Sequence, residues 1–117
     1  MGLIEIEDME FYAYHGHFKE EQVVGNRFLV SIHLKTCCKA ASQSDNLNDA
    51  LDYQKVYRLV KEEMEIKSHL LEHLTGRILD HLYADFQDEI SWAKVKVSKM
   101  NPPMGGQIGR VSVTQER

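Results

Sequence analysis

Three groups of residues in this chain have types and spacings that could do chemistry. The first is His69-Leu70-Leu71-Glu72-His73, which follows the pattern H-x-x-E-H. On a helix, His69 and His73 would share a face, because positions four apart are neighbours. Two such imidazoles could hold zinc, with Glu72 as the base for a bound water. No third ligand stands nearby, and Ser68 is expected to cap the helix, which places His69 in its first turn. A solvent-facing histidine pair is the better reading, and no metal is expected. Glu72 is then left with two readings. It is a first-turn carboxylate favoured by the helix dipole by about 0.3–1 kcal/mol, or a partly desolvated acceptor beside Leu71 and Leu74. In the second case it would accept adjacent N–H groups of a ligand.

The second group is His15-Gly16-His17. Its alternation could place two zinc ligands on one side of a strand. A turn opened by Gly16, with histidines in ordinary hydrogen bonds, is the expected alternative. The third is Lys99. Counting by two from Ala93 through Val95 and Val97 puts its amine on the apolar side of a strand. Asn101-Pro102-Pro103 then stiffens the chain. A lysine so held is either tuned for proton transfer or snorkels at the strand edge.

The elements that must position these groups follow from periodicity. Leu3–Tyr14 reads as a strand with a one-residue bulge near Glu7 or Asp8. His15–Asn26 reads as a loop, and Arg27–Thr36 as a strand with Phe28, Val30, Ile32 and Leu34 on one face. Ala41–Tyr53 is polar and turn-rich. Gln54–Ile66 is a helix carrying Val56, Leu59, Val60 and Met64. The next helix carries Leu71, Leu74, Ile78 and Leu82. Ile90–Lys99 and Arg110–Gln115 are strands separated by a loop. The order β-β-α-α-β-β predicts an α+β domain over residues 1–117. It is an antiparallel four-stranded sheet with both helices on one face and a mixed polar face opposite. Its long edge strands call for management, and pairing between copies is one solution.

Fourteen Lys and Arg against eighteen Asp and Glu give a formal charge of −4. That balance predicts no general attraction to nucleic acid or to an anionic membrane. The acidic start MGLIEIEDME is unlike a secretory leader. Ile6 breaks the myristoylation pattern, and no run reaches the roughly eighteen apolar residues of a membrane span. Adjacent Cys37 and Cys38 point to opposite sides of a strand, which predicts reduced thiols and a cytoplasmic protein.

FYAYHG with EEQVVGNRF, SDNLNDALDYQKV, LLEHL and VKVSKMNPP occur here in that order, across nearly the whole chain. Together they resemble the 7,8-dihydroneopterin aldolases of the tunnelling fold. The resemblance implies retro-aldol cleavage of dihydroneopterin to 6-hydroxymethyl-7,8-dihydropterin and glycolaldehyde in folate biosynthesis, without cofactor or metal. It implies that Glu72, with the backbone at Leu71, anchors the pterin and that Lys99 is the catalytic lysine. Tyr53 would take part in proton transfer from a neighbouring subunit. Glu21, rather than adjacent Glu20, would be the first-loop glutamate. It implies a homo-tetramer or homo-octamer with sites between subunits. His17 stands where the family usually has a small or apolar residue. C2′ epimerisation could accompany this cleavage; dihydroneopterin triphosphate epimerases share the fold and much of this pattern, but HFKEEQ is poor in the positive charge a triphosphate needs. Pyruvoyl-tetrahydropterin synthases carry a similar HGH zinc pair, but this chain has no cysteine N-terminal to it. A non-catalytic assembly module is disfavoured by the joint presence of Glu21, Tyr53, Glu72 and Lys99.

Overall fold

The computed structural model describes residues 1–117. Strands β1 (Gly2–Ala13) and β2 (Asn26–Thr36) form an antiparallel pair, with a short helix α1 (Lys19–Val24) between them. A second short helix, α2 (Lys39–Ser44), and a single 3₁₀ turn at Leu47–Asp49 lead to α3 (Tyr53–Met64) and α4 (Leu71–Phe86). Strands β3 (Ile90–Met100) and β4 (Arg110–Glu116) complete a four-stranded antiparallel sheet in the order β1-β2-β3-β4. The predicted order of main elements is therefore observed, with α3 and α4 packed on the sheet.

Two segments expected to be irregular contain helix. In α1, Glu21 reaches back toward the Phe18 amide in a capping arrangement. In α2 the chain turns six residues before Asp45 ends it in a left-handed conformation. Neither runs long enough to show helical periodicity in the sequence.

Alternation along β2 and β3 builds the core. Phe28, Val30, Ile32 and Leu34 face inward with Ala93, Val95 and Val97, and all are fully buried. Val56, Leu59, Val60 and Met64 of α3 and Leu74, Ile78 and Leu82 of α4 close over them. The bulge in β1 falls between Ile6 and Met9, with Asp8 at φ 56°. It restores Met9 and Ala13 to the buried face. The opposite face is polar. There Glu5, Glu7 and His33 bring their donor atoms within 4.8 Å of one another. Lys94 faces His33 across the β2–β3 pair, and Lys35 lies 5.0 Å over the Trp92 ring.

Ser68 does not cap α4, contrary to expectation. Leu70 occupies the N-cap position and offers no side-chain acceptor. Ser68 is drawn away by longer-range partners. Its hydroxyl accepts from Arg77 at 2.9 Å and bonds His73 Nδ1 at 2.8 Å. Arg77 also donates to the carbonyls of Glu63 and Ile66 and to the Glu63 carboxylate at 2.5 Å. It thereby gives the Ile66 carbonyl just past α3 a donor and adds a further donor to the Glu63 carbonyl, which already accepts the Ile66 amide. His81 donates to the second Glu63 oxygen at 2.8 Å.

Gly25 closes α1 at φ 79°, beneath two tyrosines, where an added Cβ would lie 2.5 Å from Tyr12 and 2.8 Å from Tyr14. A left-handed conformation plus two ring collisions makes Gly25→Ala destabilising by about 1–3 kcal/mol. Urea denaturation monitored by circular dichroism should read that loss.

Candidate active site

Lys99 is positioned by strand register. It pairs across β2–β3 with Phe28 and follows Val97 on the inward face. Its Nζ lies 2.6 Å from Glu21 Oε2, and the two side chains are only 13% and 8% exposed. The period-two reading of Lys99 as inward-facing therefore holds, and the amine is paired rather than snorkelling. Of the two loop glutamates, Glu21 is buried in this pair, whereas Glu20 faces solvent. A buried pair gains Coulomb energy only by giving up hydration of both ions. Removing one partner alone would strand a charge.

Gly16 makes room for the Glu21 carboxyl. At φ 154°, an added Cβ would sit 2.6 Å from it. Its amide donates to the Ser68 carbonyl at 2.9 Å, and the Ser68 amide donates to His15 Nδ1 at 3.0 Å. Gln22 donates to the Gly16 carbonyl at 2.9 Å and to His69 Nδ1 at 3.0 Å. Residues 15–22 are thus bound to the segment that leads into α4.

Three residues beyond Ser68, Leu71 starts α4 with its side chain in the core. Glu72 follows, exposed in the first turn, and its carboxylate accepts no hydrogen bond within the chain. Lacking a side-chain cap, the first turn also keeps open amides. The expected shared helical face of His69 and His73 does not form, because His69 precedes the helix. Each ring has its own partner, Gln22 for one and Ser68 for the other. His17 is exposed, with its ring 6.5 Å from that of His69.

Tyr53 does not join the others within one chain. It opens α3 and is 60% exposed. At the far end of that 12-residue helix, the Met64 carbonyl lies against His15. The helix rise alone puts about 18 Å between its two ends. A cavity of about 290 Å³ opens beside the ion pair, lined by Glu20, Glu21, Val24, Gly25, Asn26, Asn101 and Pro103. Asn101, at φ 47°, turns the chain just beyond Lys99, and its amide donates to the Gly109 carbonyl at 2.8 Å.

Solved structures give the fold first. A dihydroneopterin aldolase of E. coli, crystallised in complex with neopterin, superposes with TM-score 0.91 at 24% identity, covering 100% of this chain and 99% of that one. One from Burkholderia thailendensis, bound to guanine, superposes with TM-score 0.79 at 19% identity, covering 99% and 89%. The fold is that of these α+β aldehyde-lyases. The dihydroneopterin aldolase (FolB) family model matches residues 4–116. The Streptococcus pyogenes serotype M1 dihydroneopterin aldolase is 41% identical over 118 residues, covering 100% of this chain and 98% of its own. That of Staphylococcus epidermidis is 37% identical over 112 residues, covering 95% and 92%. The chain belongs to the dihydroneopterin aldolase family, and its activity is that family's carbon–carbon lyase reaction. No helix is long and apolar enough to cross a membrane.

The sequence reading passed over the part His15 plays. The residue is 1% exposed, its ring meets Phe28 edge-on at 5.3 Å, and its Nε2 has no partner within the chain. Burial, then the Arg77 charge, lower its pKa from 6.5 to about 4. It therefore stays neutral in the folded state while the unfolded chain takes up a proton. Its contribution to stability is full above pH 6.5 and is lost as pH falls through about 4. Across that window, wild-type unfolding free energy should fall more steeply than that of His15→Asn, by about 1.4 kcal/mol per pH unit. Parallel urea titrations between pH 7 and pH 4 measure the difference.

Proposed function

We propose that this chain cleaves 7,8-dihydroneopterin without a metal or a Schiff base, using Lys99, Glu21 and Tyr53 for chemistry and Glu72 with the Leu71 backbone for binding. The observation that carries the reading is the Lys99–Glu21 pair at 2.6 Å, tied through Ser68 to a helix start whose Glu72 carboxylate is unpartnered. A carboxylate there matches the 2-amino group and ring N3–H of a pterin, and the open first-turn amides match its carbonyl. Neopterin and guanine, bound to the two solved relatives, share that aminopyrimidinone edge.

With the pterin so anchored, the trihydroxypropyl chain reaches toward Lys99. A base removes the 2′-hydroxyl proton, the C1′–C2′ bond breaks, and glycolaldehyde leaves. The bonding pair moves into the C6=N5 system, and N5 is protonated. Proton transfer to C1′ and loss of the N5 proton give 6-hydroxymethyl-7,8-dihydropterin. The substrate's own imine is the electron sink. Lys99, held near the substrate by Glu21, and Tyr53 serve the proton transfers. Re-addition of glycolaldehyde to its other face would epimerise C2′. The free thiols of Cys37 and Cys38 accord with a cytoplasmic setting.

Glu72→Ala should weaken pterin binding roughly ten- to hundredfold, the range for a charged hydrogen-bond partner. Lys99→Ala should lower turnover by roughly 10²–10⁴-fold with a smaller effect on affinity. Fluorescence titration with 6-hydroxymethylpterin and steady-state rates on dihydroneopterin separate the two. Near-normal turnover in Lys99→Ala together with normal binding in Glu72→Ala would refute the assignment.

The exposed position of Tyr53, remote from His15 along α3, supports a site completed by a second subunit in a tetramer or octamer. The 12-residue edge strand β1 and the exposed β4 residue Val111 offer surface for such assembly. Inactive Tyr53→Phe and inactive Lys99→Ala, unfolded and refolded together, should then regain activity. Mixed oligomers would contain some sites with both native residues. Mixtures as inactive as their components would argue for sites within one chain.

A further inference from the structure

Glu21 is carried by a six-residue helix in which it is the only buried residue. A helix that short does not hold itself in water, so its position must come from outside. At its far end, Tyr12 donates to the Val24 carbonyl at 2.7 Å, above Gly25. At its near end, the chain is tied to residues 68–69. Gly16 donates to the Ser68 carbonyl, Ser68 donates to His15 Nδ1, and Gln22 spans Gly16 and His69. Of these bonds only the one to His15 satisfies a main-chain amide with a side chain, and both of its residues are buried. Backbone groups of Ser68 thus meet residues 15 and 16 on one side. Its hydroxyl meets Arg77 and His73 of α4 on the other.

We propose that His15 is a positioning residue for the aldol cleavage: by accepting the Ser68 amide at Nδ1 it fixes the Glu21 loop, and with it the Lys99 amine, relative to the pterin anchor at Leu71–Glu72. It rests on the aldolase assignment given above. The acceptor role requires the tautomer protonated at Nε2. Edge-on packing against Phe28, the residue paired with Lys99 across β2–β3, sets the ring's orientation. The two halves of the site are unequally anchored. Leu71–Glu72 begin a 16-residue helix with its own buried stripe, whereas the Glu21 loop depends on the bonds just named. Losing the His15 acceptor should therefore displace the reacting groups more than the pterin anchor. Misplacement by about 1 Å costs up to about a hundredfold in rate.

The test compares His15→Leu, which removes the acceptor, with His15→Asn, whose carboxamide oxygen can replace Nδ1. His15→Leu should lower kcat on dihydroneopterin about ten- to hundredfold, while its affinity for 6-hydroxymethylpterin stays within about threefold of wild type. His15→Asn should recover most of the rate. Exchange of the Ser68 amide, followed by NMR at neutral pH, should quicken at least about tenfold in His15→Leu and slow again in His15→Asn. Equal loss of rate and affinity in both variants, or wild-type rates and Ser68 protection in His15→Leu, would overturn the proposal. A wild-type protein that leaves dihydroneopterin uncleaved, yet shows the expected exchange pattern, would instead remove the aldolase assignment and with it the catalytic part of the role.

Discussion

A lysine and a glutamate buried together, 2.6 Å apart, set the terms for the rest of this structure. Two ions withdrawn from water recover their hydration only through close, fixed geometry. Each partner therefore needs a support that does not yield. Lys99 has one in β3, which is paired on both sides and lies in register with the fully buried Phe28. Glu21 has none of its own. The glycine at position 16, the tyrosines above Gly25 and the bonds to Ser68 all serve to bring a weak helix to a strong strand.

Ser68 shows how one residue can join layers. Its main chain reaches the end of β1, and its hydroxyl reaches two residues of α4. Through Arg77 it is joined to the carbonyls that end α3, and through Glu63 to His81. The helix pair, the first loop and the sheet are thus coupled around a single buried turn. Coupling of this kind keeps a site assembled from distant segments at constant spacing, which proton transfer between fixed groups requires.

How much of this could be read from sequence depended on how local the cause was. Strand parity placed Lys99 on the inward face because side chains alternate strictly, and the β1 bulge was legible because Ile4 and Met9 differ in parity. The helical stripes of α3 and α4 were legible for the same reason. Glu21 and Glu20 could not be separated by any period, since six residues of helix show none; only the resemblance favoured one over the other. Ser68 illustrates the opposite failure. Its type suits an N-cap, but partners 53 residues away in sequence hold its backbone instead, and no window along the chain contains both. The role of His15 was hidden likewise, since its type announced only a metal ligand or a turn.

Leu70 caps α4 without a side-chain acceptor, Glu72 has a carboxylate with no donor, and His15 keeps an Nε2 without a partner in the chain. The short helices α1 and α2 likewise start without a side-chain cap, whereas Asp52 accepts the amides of Gln54 and Lys55 at the start of α3. An uncapped helix start forgoes about 1 kcal/mol. Open donors on the helix start beside an open carboxylate form one polar edge, in the pattern a planar aminopyrimidinone presents in reverse. In the proposed binding mode the ligand is the missing cap: it would supply hydrogen bonds that the fold leaves unmade at the start of α4, and stability withheld from the free chain would become affinity in the complex.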